Sequence, residues 1–168
     1  MVCLYSAGDI VRRNNLVTKI ETWGPEYKID FKIMLNDTLP TTGNFNLLFF
    51  TTESRCSSYR CRIPEVSFRR KGDAPEMFVI RRTNDEIVRH RETLKWNQWY
   101  TFTIEQKIMD GKGTIILNKD NFESIWTKPV MEATAYSDVL WYQSSPWHAS
   151  VADFAVIEYL HVQNNPTK

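Results

Sequence analysis

Two stretches carry residue types suited to recognition chemistry. The first, VLWYQSSPWHAS (139–150), gathers two tryptophans, a tyrosine, a histidine and a proline into twelve positions. An aromatic ring can lie against the apolar face of a sugar ring while planar polar groups hold its hydroxyls. Trp141, Tyr142 and Trp147 could supply such a platform. Gln143, Ser144, His148 and, from another segment, Asn97 could supply the hydrogen bonds. Alternation along a strand sets Val139 and Trp141 on one face and Leu140 and Tyr142 on the other. One of those two aromatics therefore belongs to a core, whereas Trp147 and His148 fall in a loop after Pro146.

The second stretch is basic. From Arg55 to Lys95 there are eleven Lys and Arg against six Asp and Glu, in a chain of net charge +1, so the remainder is net acidic. Arg69-Arg70-Lys71, Arg81-Arg82 and Arg89-His90-Arg91 fall on consecutive expected strands. If those strands are neighbours, Arg81, Arg82 and Arg89 contribute to a guanidinium patch suited to sulfate or carboxylate. The competing expectation is a solvated strand face whose charges discourage edge-to-edge pairing. Nucleic acid is not expected, because the whole chain is close to neutral.

Motifs for enzyme chemistry are missing. There is no GxSxG, HExxH, P-loop or GxGxxG after a strand. His90 and His161 sit within strand patterns, and no pair of acids at i and i+2 presents the two carboxylates a glycosidase requires. The expectation is a non-enzyme with no cofactor. For calcium, loop oxygens of Asp37 and Asp138 are the available ligands, but no DxD cluster accompanies them. Cys56 and Cys61, in SRCSSYRC, are close enough to staple a short loop as a disulfide. Cys3 is then left free or paired to another chain, giving a possible homo-oligomer. The disulfide reading points to an extracellular, secreted protein; the opposing reading is three reduced thiols. One glycosylation sequon occurs, Asn36-Asp37-Thr38. The longest apolar run, Leu47 to Phe50, is far shorter than a membrane span, so no membrane insertion is expected.

What must position these residues is a set of strands. In EYKIDFKIML, Tyr27, Ile29, Phe31, Ile33 and Leu35 alternate with polar residues, and WYTFTIEQKI repeats the pattern. MDGKG between them and TIIL marks a hairpin. LVTKIE, FNLLFF, PEVSFRR, MFVIRR, EIVRHR, VLWY and DFAVIEYLHV read as further strands, and only KDNFESIW suits a helical turn. FNLLFF and DFAVIEYL are apolar on both faces, as covered central strands are. The length suits one domain, residues 1–168. The expected fold is all-β, an antiparallel sandwich of two stacked sheets.

Residues 94–119, LKWNQWYTFTIEQKIMDGKGTIILNK, resemble a stretch of laminin G-like and other concanavalin A-like lectin domains, where a Trp opens a strand and a glycine hairpin follows. WYQSSPWHASVADFAVIEYLHV is similar to the closing segment of such domains, and TWGPEYKIDFKIML to an early strand. The resemblance implies a jelly roll that binds ligands on rim loops or a concave face; the family includes lectins, adhesion modules and polysaccharide-cleaving enzymes. The acid motif of the glucanases, the strand motifs of the jelly-roll lyases and the galectin constellation are absent. The expected function is thus a non-catalytic extracellular lectin-like or adhesion module for a glycan or glycoprotein, with anionic glycans among the candidate ligands. The alternative is a protein–protein interaction or structural subunit of an extracellular assembly, and a polysaccharide-cleaving enzyme ranks below both.

Overall fold

The computed structural model describes residues 2–5, 9–10, 16–39, 41–52, 62–83, 86–120, 123–130, 136–147 and 155–165. Among them there is no helix, and so none that could cross a membrane. The strands are β1 (Val2–Tyr5), β2 (Asp9–Ile10), β3 (Leu16–Trp23), β4 (Glu26–Leu35), β5 (Asn44–Thr52), β6 (Arg62–Lys71) and β7 (Ala74–Arg82). They continue with β8 (Ile87–Thr93), β9 (Trp99–Met109), β10 (Lys112–Lys119), β11 (Glu123–Val130), β12 (Tyr136–Trp147) and β13 (Ala155–Asn165).

They form two antiparallel sheets. One runs β1-β13-β4-β9-β10-β11, with β2 also on β13; the other runs β3-β12-β5-β6-β7-β8. The two-residue periodicity is what allows both sheets to face one another. Along β4, Tyr27, Ile29, Phe31, Ile33 and Leu35 are buried while the residues between them are half-buried. Tyr100, Phe102 and Ile104 do the same along β9. Phe31 stacks near Phe102 at 5.3 Å within its own sheet and meets Phe68 of the other sheet edge-on at 6.4 Å. That geometry is favoured by the ring quadrupole and closes the middle of the sandwich.

Turns follow the backbone each sequence permits. At the β9–β10 hairpin Asp110 and Gly111 both have positive φ, 52° and 73°, between the paired Met109 and Lys112. That is the turn geometry whose twist matches the strands it joins. Gly111→Ala, which meets no atom within 4 Å, is expected to lose about 1 kcal/mol in urea unfolding through backbone strain alone.

Two expectations change here. ESIW, read as part of a helical turn, begins strand β11, because Trp126 pairs with Leu117 of β10. Ser144 to Trp147, read as a rim loop, continue β12: Ser145 pairs with Asn46 and Trp147 with Asn44. A proline does not end that strand, since Pro146 holds its place opposite Phe45.

Candidate functional site

The expected neighbours β6, β7 and β8 are indeed adjacent, and register decides which of their arginines share a face. One row across the six-stranded sheet is Val17–Tyr142–Phe49–Glu65–Ile80–Arg89. The next is Ser145–Asn46–Ser67–Phe78–Arg91. Beyond these lie Arg62–Arg82–Ile87 on one side and Arg69–Glu76–Thr93 on the other. Intervening residues such as Val66, Phe68, Met77 and Val79 are buried in the core, so over β6–β8 these rows form the outer face.

Arg62, Arg69, Arg82, Arg89, Arg91 and Lys71 thus share a face over β6–β8 with Glu65 and Glu76. Glu65 accepts from Arg62 Nε at 2.9 Å and from the Ser67 hydroxyl at 3.0 Å. Glu76, almost wholly buried, accepts from Arg69 Nη2 at 2.8 Å and from Lys71 Nζ at 3.2 Å. Arg69 and Arg91 lie 4.5 and 5.3 Å from the Phe78 ring, sharing its negative face. Arg82, Arg89 and Arg91 have no acidic partner among the described residues.

Burial alone would raise the pKa of Glu76, but hydrogen bonds from Lys71 and Arg69, with their charges, outweigh it and hold the carboxyl below its ordinary range. A depressed folded-state pKa stabilises the fold above the unfolded value, and this contribution is lost as pH falls through the folded one. Glu76→Gln is therefore expected to flatten the stability–pH curve on the acid side of the ordinary carboxylate range, read as melting temperature against pH.

Arg81 is not part of this face. Its side chain is 1% exposed and points into the sandwich, donating from Nε to Gln106 Oε1 at 3.0 Å and from Nη1 to Glu86 Oε2 at 3.0 Å. Gln106 in turn donates to the Pro25 carbonyl at 2.8 Å. The reason is parity, since Arg81 follows Met77 and Val79 on the inward side. His90 also turns inward, stacking on Trp126 of the other sheet at 5.4 Å.

Asn97 lies elsewhere. It takes a positive φ of 55° in the β8–β9 loop, and its N–H donates to the Leu35 carbonyl at 2.7 Å. Beside it Trp96 Nε1 donates to the Asp73 carbonyl at 2.6 Å, with the Arg70 guanidinium 5.1 Å from the indole ring. Arg70 also donates to the Asp37 carbonyl at 2.8 Å, so the β4–β5, β6–β7 and β8–β9 connections meet at one end of the sandwich. Trp147, at the last position of β12, comes to that end by its pairing with Asn44. Tyr142 and Gln143 stand mid-strand opposite Phe49 and Leu48. The expected ligand residues therefore divide: Asn97 and Trp147 at this end, Tyr142, Arg82 and Arg89 at positions in the rows of the sheet.

His148, Cys56 and Cys61 lie outside the described residues, and Cys3 is placed by backbone register alone, opposite His161. Asp138, expected in a loop, belongs to β12 and so does not join Asp37 in a rim. Among the described residues no group of three His, Cys, Asp or Glu side chains could hold a metal ion.

Solved structures share this arrangement. A marine PL7 alginate lyase from Zobellia galactanivorans superposes with a TM-score of 0.56 at 15% identity, over 86% of this chain and 65% of the lyase. A heptameric SAP-like pentraxin from Limulus polyphemus gives 0.59 at 10%, over 99% and 76%. The binding domain of botulinum neurotoxin DC, solved in complex with SialylT, gives 0.56 at 11%, over 94% and 42%. The fold is a concanavalin A-like jelly roll. This jelly roll thus spans about two thirds of the lyase chain and less than half of the toxin chain. No protein-family model and no curated protein matches the sequence.

Proposed function

We propose that the protein is a non-catalytic, extracellular glycan-binding module that takes an anionic glycan on the outer face of the six-stranded sheet. The observation that carries this is Arg82, Arg89 and Arg91 sharing one face of β7–β8 with no acidic partner among the described residues. Guanidinium groups match carboxylate and sulfate bidentately, and a rigid sheet spaces them at little entropic cost. The two carboxylates of the face are engaged by arginines, which favours holding over acid–base chemistry. That one solved structure of this fold is an alginate lyase and another is a toxin binding domain in complex with SialylT supports this reading.

The test is retention on a column bearing a sulfated or carboxylated polysaccharide. Wild type should bind and elute with salt, and Arg82→Ser/Arg89→Ser should pass through while keeping its circular dichroism spectrum. Equal retention of the two proteins would refute the site. Shortening of the polysaccharide by wild type would refute the non-catalytic part.

A further inference from the structure

Resting on that reading, we infer that the ligand is a linear glycan with anionic groups on successive sugars, lying along β7 and β8 over Arg82, Arg89 and Arg91. The face is electrostatically lopsided. On the β6 side Arg62, Arg69 and Lys71 hold the carboxylates of Glu65 and Glu76, so two of their three charges are answered within the protein. On the β7–β8 side Arg82, Arg89 and Arg91 share the face with no carboxylate partner among the described residues, and like charges so placed favour a polyanion. Accessibility follows the same gradient. Glu76, Phe78 and Ser67 are 2%, 6% and 1% exposed, whereas Arg82 is half-buried and Arg89 and Arg91 are exposed on the terminal strand of the sheet.

Spacing sets the ligand's form. Residues two apart on a strand are about 6.8 Å apart and neighbouring strands about 4.8 Å, so Arg89 lies about 7 Å from Arg91 and about 8 Å from Arg82. A single carboxylate or sulfate cannot engage all three, while a chain with an anion on each successive sugar can. Ile80, half-buried beside Arg89, and Ile87, 50% exposed beside Arg82, offer apolar surface to the sugar rings between charges. A single-stranded nucleic acid has comparable charge but draws its affinity from bases stacked on open aromatic rings. On the outer face of β6–β8 the aromatic ring is Phe78, which Arg69 and Arg91 cover.

The experiment is calorimetric titration with uniformly carboxylated or sulfated oligosaccharides of one, two, four and six sugars, and with an oligodeoxynucleotide of equal charge. Affinity should climb steeply to about four sugars and then level. Arg82→Ser and Arg91→Ser, at opposite ends of the row, should each weaken the hexasaccharide about tenfold, and Arg69→Ser/Glu76→Ser, which removes an internally balanced pair, should change it less than twofold. Affinity independent of length, a dominant effect of the Arg69/Glu76 pair, or tighter binding of the oligonucleotide would each overturn the inference. Binding of none of the oligosaccharides by folded wild type would overturn the proposed function itself.

Discussion

Arg81→Met should lower the free energy of unfolding by about 3–5 kcal/mol. Arg81 is among the largest fully buried side chains of the protein, and its guanidinium sits where the two sheets meet. Nε reaches Gln106 of β9, Nη1 reaches Glu86 of the β7–β8 connection, and Gln106 passes the link to the Pro25 carbonyl. Removing the cation takes the Arg81 hydrogen bonds from a carboxylate that is 12% exposed and from the buried Gln106 amide oxygen. Desolvated acceptors left in that state carry the cost, more than the lost contact itself. Arg81→Met/Glu86→Gln should therefore be less destabilised than the sum of the two single changes. Urea unfolding of the four proteins of the cycle measures this. Additive effects would show that the pair is not coupled in the folded state.

The second large effect is on binding. Arg82→Ser/Arg89→Ser should weaken an anionic oligosaccharide about a hundredfold, since each charge-assisted contact contributes roughly 1.5–3 kcal/mol before screening and solvent exposure reduce it. Both side chains lie on the outer face and are free of acidic partners among the described residues, so their removal leaves no buried charge behind. Stability should change by less than about 0.5 kcal/mol, which separates this variant from Arg81→Met. The wild-type affinity should fall as salt rises, and the double variant should show a shallower dependence, because two of the screened contacts are gone.

The contrast between Arg81 and Arg82 shows where sequence reading stops. Alternation placed β4 and β9 correctly because polar and apolar residues interleave cleanly along them. In MFVIRR both alternating sets begin apolar, Met77 and Val79 on one side and Phe78 and Ile80 on the other, so periodicity does not say which arginine turns inward. The answer depends on Gln106, 25 residues away on the opposite sheet, which nothing local to β7 reveals. Trp147 illustrates the same limit from the other direction. SSPW has loop composition, yet the ladder to β5 carries it as strand, because the partner Asn44–Asn46 is there to pair with. The adjacency of the three basic strands was legible, since short connections such as Gly72-Asp73 force consecutive strands to pair.

The central claim is the location of the ligand, and nuclear magnetic resonance mapping addresses it most directly. Titration of labelled protein with a uniformly anionic hexasaccharide should shift the amide and guanidinium signals of Arg82, Arg89 and Arg91, with Ile80 and Ile87 beside them, and leave Lys28, Thr103 and Lys107 on the other sheet unmoved. Shifts confined to Trp96 and Asn97 at the end of the sandwich, or to the seven-stranded sheet, with β7 and β8 silent, would contradict it.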